Sequence, residues 1–315
     1  SEKKRNPGDF AMWKASKPGE PAWDSPWGKG RPGWHIECSA MSMKLLGKTL
    51  DIHGGGLDLQ FPHHENEMAQ SESFTGQPFA TAWMHNGLLK MGTAKMAGSV
   101  GNVVNIGDLL ERHHAETVRF LLLSTHYRSP IEYSEDRLNE IRRSLEGFYR
   151  FFERYTRITG GSFYSVIGTK PPEASDFLGQ IVKLRSQFLV CMDDDFNTGG
   201  ASGILFELLT ALNRFADANK LDEPTRTPAA LADWQRGVAV LRELSQILGL
   251  FWAPIETAKS GDDKLVGGLM QLLIDLRAEA RKAKNFALGD QIRKRLTELG
   301  VTLEDRAGGT SWRKE

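Results

Sequence analysis

The sequence predicts an α/β nucleotide-binding half-domain, followed by an α-helical bundle and a small α+β tail domain. Three observations carry that expectation. Between residues 49 and 91 a short β-prone run ends in Gly54-Gly55-Gly56, a helical stretch follows, and a second β-prone run closes the unit. That order of strand, glycine turn, helix and strand is typical of α/β folds. From Leu138 to Leu248, apolar residues recur in steps of three and four along four successive stretches, which gives four helices one apolar stripe each. After a linker at 253–263, two further helical stretches precede a short strand and a Gly308-Gly309 turn.

Taken in order, residues 7–33 are rich in Pro, Gly and Trp (Trp13, Trp23, Trp27) and read as an irregular loop. Ile36, Ala40, Met43 and Leu46 predict a helix over 35–46 after Gly33. Residues 49–53 predict a strand, 66–73 a helix and 83–91 another strand. The bundle stripes are Leu138-Ile141-Leu145-Phe148-Phe152, Ile181-Leu184-Phe188-Cys191, Leu205-Leu208-Leu212-Phe215 and Leu231-Trp234-Val238-Leu241-Leu248. They are assigned to the core and given no chemistry. Segments 160–176 and 222–228 read as loops. Helices are expected at 269–282 and 290–299, and a strand at 301–303. The expected domains are 1–125, 126–255 and 256–315. Asp193-Asp194-Asp195 reads as helix capping, by Asp195 or Asn197, rather than as a metal site.

At 315 residues the chain can bury a substantial core. Forty basic residues balance forty acidic ones, so any nucleic-acid contact must come from local patches rather than bulk charge. Two cysteines, Cys38 and Cys191, argue against a disulfide framework. The charged stretch 1–7 lacks a secretory apolar segment, and no run approaches the ~20 apolar residues of a membrane span. The expectation is a cytoplasmic protein without a membrane partner.

All eight histidines lie between His35 and His126, which places imidazole chemistry in the first part of the chain. Cys38, His63 and Glu67 form a plausible zinc-ligand set of thiolate, imidazole and carboxylate, because His63 and Glu67, four apart, share one helix face. The zinc-protease pattern H-E-x-x-H is excluded, since the position after Glu67 is Met68. Spacing alone leaves open a buried thiol beside unrelated polar residues. Gly54-Gly55-Gly56 followed by Asp58 suits close approach of a nucleotide to the backbone, although three glycines by themselves favour a plain turn. It is not a Walker loop, as no Gly-Lys-Ser/Thr follows.

The motifs G-W-H-I-E-C-S-A-M from Gly33, D-I-H-G-G-G from Asp51 and F-P-H-H-E-N-E from Phe61 resemble those of the cysteinyl-tRNA synthetases, a class I aminoacyl-tRNA synthetase family. So do W-M-H-N-G from Trp83, H-Y-R-S from His126 and M-D-D-D-F-N-T from Met192. The resemblance implies the second half of a Rossmann-like catalytic domain, a tRNA-binding helical bundle and an anticodon-recognition tail. It implies a Zn2+ ion on Cys38, His63 and Glu67 that selects the substrate thiol, with Trp34 and His53 lining the cysteine pocket. Gly54, Gly55, Gly56 and Asp58 would border ATP, with Met84 and His85 on its adenine side. Lys95 and Ser99 correspond to the catalytic K-M-S-K-S loop. In the tail, Arg281, Arg293 and Asp305 would contact anticodon bases, with Phe286, Asp290 and Trp312 alongside. The implied reaction joins cysteine to tRNA(Cys) through cysteinyl-adenylate, with ATP and Mg2+, in a monomer.

Two departures stand out. The K-M-S-K-S loop reads Lys95-Met96-Ala97-Gly98-Ser99, without the second lysine that would offset phosphate charge. The family's H-I-G-H motif and the N-terminal-half cysteine that supplies its fourth zinc ligand occur nowhere in the 315 residues. The chain therefore reads as the C-terminal two-thirds of a synthetase, a poor catalyst alone. The alternatives are a non-catalytic tRNA-binding remnant and the related cysteine:amino-sugar ligase of mycothiol synthesis. The basic, aromatic tail argues against the latter.

Overall fold

A computed structural model describes residues 4–91, 94–95, 104–172, 175–255, 263–306 and 309–314. It divides into two compact units, Ser1–Ala253 and Pro254–Glu315.

The first unit begins with a small antiparallel pair, β1 (Trp13–Ala15) and β2 (Gly30–Pro32), inside the stretch expected to be irregular. Helix α1 (Trp34–Leu46) starts directly after Gly33, where a Cβ would stand 2.1 Å from the Ala11 carbonyl oxygen. Only glycine fits that turn. Strand β3 (Leu50–Gly56) continues through all three glycines, three residues beyond the expected strand, because they pair in parallel with β4 (Ala80–Asn86). Helix α2 (Glu65–Thr75) connects them and ends at Gly76 in the left-handed region.

The strand expected over 83–91 is two strands, β4 and β5 (Leu89–Met91). The break falls at Gly87, whose N–H donates to the Tyr127 carbonyl at 2.6 Å instead of to a ladder partner. A Cβ there would lie 2.0 Å from the Ser129 oxygen. β5 pairs with β6 (Ala94–Lys95), and two helices absent from the sequence reading follow, α3 (Ile106–Arg112) and α4 (Ala115–Leu123). Strand β7 (Ile131–Tyr133) then completes a three-stranded sheet of order β6-β5-β7.

The bundle comprises α5 (Glu135–Thr159), α6 (Asp176–Asp193), α7 (Thr198–Ala218) and α8 (Pro228–Ile247). Each has a side-chain cap, from Ser134, Ser175, Asn197 and Thr227 in turn, satisfying amides that the first turn leaves free. All four apolar stripes contribute to one core, which also takes Val118, Phe120 and Leu121 from α4. Between the two capping candidates the structure selects Asn197, which accepts from the Gly200 N–H at 2.9 Å. Asp195 sits at φ 51° and turns its carboxylate to Arg128 and to the Tyr127 hydroxyl. Among the described residues, no helix is long and apolar enough to cross a membrane.

The second unit packs α9 (Asp263–Lys282) and α10 (Phe286–Glu298) with the antiparallel pair β8 (Val301–Arg306) and β9 (Gly309–Lys314). Met270, Ile274, Leu296 and Leu303 form its core.

Candidate active site

Three elements meet at the carboxylate of Glu67. Helix α1 brings Trp34, His35 and Cys38, the strand β3 brings His53, and the start of α2 brings Glu67 itself, one turn after His63. Glu67 is 1 % exposed, and its two oxygens face different partners. Oε1 lies 3.0 Å from His63 Nε2, and Oε2 lies 2.8 Å from His53 Nε2. The Ser39 hydroxyl, fully buried, donates to the Glu67 carbonyl at 3.3 Å and ties α1 to α2.

The imidazoles are linked in turn. His35 Nδ1 and His63 Nδ1 are 2.9 Å apart, and His64 Nδ1 and His85 Nε2 are 2.8 Å apart. In each pair one ring must donate and the other accept. The Trp34 indole stacks on His63 with centroids 4.2 Å apart, and His64 packs against Trp83 at 5.4 Å. Burial holds His35 and His64 below the ordinary imidazole range.

Of the sequence-derived ligands, Cys38, His63 and Glu67 do come together: one donor atom from each lies within 4.8 Å of the other two. Burial and the neighbouring Glu67 carboxylate push the Cys38 thiol up to about 11. Metal coordination would favour the thiolate of such a cysteine. The sequence reading missed the participation of His35, His64 and the second face of Glu67. Adjacent histidines at 63 and 64 signal no shared centre by spacing, since neighbours on a helix point apart.

The glycines are explained by contacts. A Cβ on Gly54 would stand 2.7 Å from the Met84 carbonyl oxygen, and one on Gly55 would stand 3.0 Å from both His64 Cε1 and Leu59. On Gly56 it would come within 2.4 Å of the Asp58 carboxylate. Parallel pairing sets Gly54 beside Met84 and Gly55 beside His85. Beyond them opens a cavity of about 390 Å³ lined by His64, Glu65, Met68, Trp83, His85 and Arg128. The Lys95 backbone pairs with Lys90; Ser99, Ala97 and Gly98 lie outside the described residues.

In the second unit, Asp305 is a hub. It receives a paired hydrogen bond from the buried Arg277 (2.8 and 2.8 Å) and another from the Thr310 hydroxyl at 2.8 Å. Arg293 stands at 3.5 Å and Arg281 at 3.9 Å. Hydrogen bonding from Arg277 holds the carboxyl well below the usual carboxylate range. Arg277, to which the sequence reading gave no role, is the residue that fixes Asp305. Phe286 and Trp312 present exposed rings, and Asp290 is exposed on α10.

Three family models match the chain in order. The family model described as "tRNA synthetases class I (C) catalytic domain" matches residues 1–143. The DALR domain matches 187–252, and the cysteinyl-tRNA ligase anticodon binding domain matches 270–313. The chain is 46 % identical over 99 % of its length to a cysteine–tRNA ligase of Pelobacter propionicus, and 45 % identical over 99 % to one of Pseudomonas aeruginosa. It spans 64 % and 62 % of those relatives. In fold it is similar to a LeuRS of Agrobacterium radiobacter K84, solved with tRNA and LeuAMS. That match has a TM-score of 0.50 and 15 % identity, covering 75 % of this chain and 36 % of that one. Three family models in order, together with relatives at this identity, leave one assignment: the chain belongs to the cysteinyl-tRNA synthetase family, and spans just under two thirds of the length of these members.

Proposed function

We propose that this chain carries the amino-acid-selecting, nucleotide-bordering and tRNA-reading parts of a cysteine–tRNA ligase, which activates cysteine with ATP and transfers it to tRNA(Cys). The observation that carries the reading is the convergence of Cys38, His63 and Glu67 beside Trp34 and His53. Soft thiolate, imidazole and carboxylate suit zinc, and these three residues would hold it. Zinc bound there supplies a Lewis acid that favours a substrate thiolate over an alcohol, a distinction that shape alone makes only ~10- to 200-fold. Glu67 Oε2 fixes the His53 ring, and Trp34 stacking fixes that of His63.

Gly54, Gly55 and Gly56 let ATP approach the backbone, Asp58 takes its ribose, and the main chain at Met84 and His85 borders its base. Lys95 and Ser99 serve the phosphates and their Mg2+. In the tail, Arg281, Arg293 and Asp305 read bases while Phe286 and Trp312 stack on them, with Asp290 at the edge. The match of the anticodon binding domain supports tRNA over an amino sugar as acceptor.

Cysteine-dependent exchange of pyrophosphate into ATP tests the reading, measured on this chain and on a fusion supplying a relative's preceding nucleotide-fold half. The fusion is expected to exchange with cysteine and not with serine, and to lose exchange on Cys38→Ser. Gly98→Lys should speed adenylate formation by roughly one to a few kcal/mol of barrier, the scale of a transition-state charge contact. Equal exchange with serine overturns the selection role of the Cys38 set. Absence of exchange with retained tRNA binding assigns the chain to tRNA binding alone.

A further inference from the structure

The strand that carries Lys95 rests on a turn, and that turn is gripped from the bundle. Residues 87–91 are bonded to the stretch 127–133. The Gly87 N–H donates to the Tyr127 carbonyl at 2.6 Å, the Ile131 N–H donates to the Leu88 carbonyl at 3.1 Å, and β5 then pairs in parallel with β7. On its other edge β5 pairs with β6, which sets Lys90 beside Lys95. At Gly87 the two stretches come too close for any Cβ, which would stand 2.0 Å from the Ser129 oxygen. The turn at 126–129 therefore decides where β5 leaves β4.

One side chain from the connection between α6 and α7 holds that turn. Asp195 accepts from the Tyr127 hydroxyl at 2.8 Å and from Arg128 Nη2 at 3.2 Å, while Arg128 Nε donates to its other oxygen. The Arg128 guanidinium also lies 5.2 Å from the Tyr127 ring, so the three side chains form one closed set. A paired guanidinium–carboxylate contact fixes direction as well as distance. Asp195 and the half-exposed Phe196 sit at φ 51° and 55°, a region that residues other than glycine seldom adopt. Such a backbone is kept where the side chain it delivers matters. The first turn of α7 closes the contact: the Thr198 hydroxyl donates to the Thr125 carbonyl at 3.5 Å, and a Cβ on Gly199 would stand 3.2 Å from the Ser124 oxygen.

We propose that Asp195 is a positioning residue for the activation step. Through Tyr127 and Arg128 it sets the turn at 126–129, and through that turn the course of β5 and of the Lys95 strand paired to it. The inference rests on the proposed role of Lys95 toward the ATP phosphates. Cys38, His53 and Glu67 lie on other elements, α1, β3 and α2. The clasp therefore acts on the rate of adenylate formation and leaves cysteine binding alone.

Asp195→Asn is the test, because asparagine keeps the size of the side chain and tolerates the left-handed region while losing the charge. Hydrogen–deuterium exchange of the whole chain, followed by mass spectrometry, should show peptides over 86–91 and 127–133 exchanging about 10-fold faster, the scale of one hydrogen bond to a charged group. Peptides of α2 and α8 should match the parent. Asp195→Gly, which removes the backbone strain together with the carboxylate, should do the same. In the fusion that supplies the preceding nucleotide-fold half, Asp195→Asn should lower kcat for cysteine-dependent pyrophosphate exchange about 10- to 100-fold, as misplacement of a reacting group does. The KM for cysteine should stay within about twofold of the parent. A mere staple of the bundle would lower kcat only in proportion to the unfolded fraction seen by circular dichroism. Parent-like hydrogen exchange at 86–91 in either variant overturns the proposal, and so does faster hydrogen exchange with an unchanged kcat. A parent fusion without pyrophosphate exchange counts against the proposed function instead. Hydrogen exchange at 86–91 then decides the clasp, faster exchange upholding it and parent-like exchange overturning it.

Discussion

The helical bundle and the α/β layer are both parts of the first unit, yet they are held together by opposite means. The bundle buries large apolar side chains completely: Trp234, Phe148, Phe163, Phe188 and Phe251 are all inaccessible. In α1 of the α/β layer the only buried residue is Ser39, while Leu45 and Leu46 are 76 % and 72 % exposed. An apolar groove of about 910 Å³ runs past Phe10, Met12, Ile36, Met43 and Phe74. The parallel pair β3–β4 leaves Ile52 open as well, although parallel sheets are normally covered on both faces. What is tightly made in this layer, beside the buried Phe79 and Leu50, is polar: the carboxylate of Glu67 and the imidazoles around it. The bundle therefore draws its stability from area removed from water, and the α/β layer spends its precision on a site.

The sharpest way to break this contrast is to empty the bundle core. Trp234 fills space between Phe151 and Tyr155, and its indole N–H donates to the Leu212 carbonyl at 3.0 Å. Trp234→Ala is expected to cost about 3–5 kcal/mol through lost burial and an unfilled cavity. Chemical denaturation, followed by the helical signal, measures it. A loss below about 1 kcal/mol would mean that the bundle core collapses around the gap far more easily than its packing implies.

A smaller effect comes from a polar knot inside the bundle. Glu116 on α4 accepts hydrogen bonds from the Tyr149 hydroxyl and from the Phe251 N–H. The Phe251 carbonyl in turn accepts from buried Arg242, which also reaches the Tyr164 carbonyl at 3.2 Å. Glu116→Ala leaves the Phe251 amide without its acceptor and should cost about 1–3 kcal/mol. The knot also sets an alkaline limit. Burial, with Glu116, holds the Tyr149 hydroxyl far above the normal phenol range, and burial pushes Tyr164 up to about 12. A folded-state pKa above the unfolded value of about 10 means that the unfolded chain loses its protons first. The contribution is complete below pH ~10 and falls away as pH rises toward 12 and beyond. Denaturation midpoints between pH 8 and 11.5 should show a downward slope that Tyr149→Phe and Tyr164→Phe flatten.

The same contrast explains what could be read from the sequence. Bundle helices were legible because burial on one face forces a repeat of three and four, as in Leu138 to Phe152 and Leu205 to Phe215. The convergence of Cys38, His63 and Glu67 was legible because resemblance attached one role to all three, and their donor atoms do lie together. The pairing of His35 with His63, and of His64 with His85, spans 28 and 21 residues and leaves no local pattern. Helices α3 and α4 were missed for a related reason. They are short, at 7 and 9 residues, and a window of 11–18 residues is what makes periodicity visible. Asp195 was misread as a possible cap because its sequence neighbourhood is that of a helix start, whereas its partners Tyr127 and Arg128 lie 68 and 67 residues away.

The smallest expected effect sharpens the comparison from the other side. Leu45 looks, in sequence, as apolar as any bundle residue, but its side chain lies open on α1. Leu45→Lys removes no core contact, and lysine and leucine have similar helix propensity. Its cost should stay within about 0.5 kcal/mol, the range of surface substitutions, against several for Trp234→Ala. Denaturation of the chain by itself, at low concentration, makes the test. A loss of 2 kcal/mol or more, roughly that of burying a whole leucine, would mean that something covers α1 in solution. The apolar face would then contribute as the bundle does, and the division between a closed bundle and an open α/β layer would fail at its plainest point.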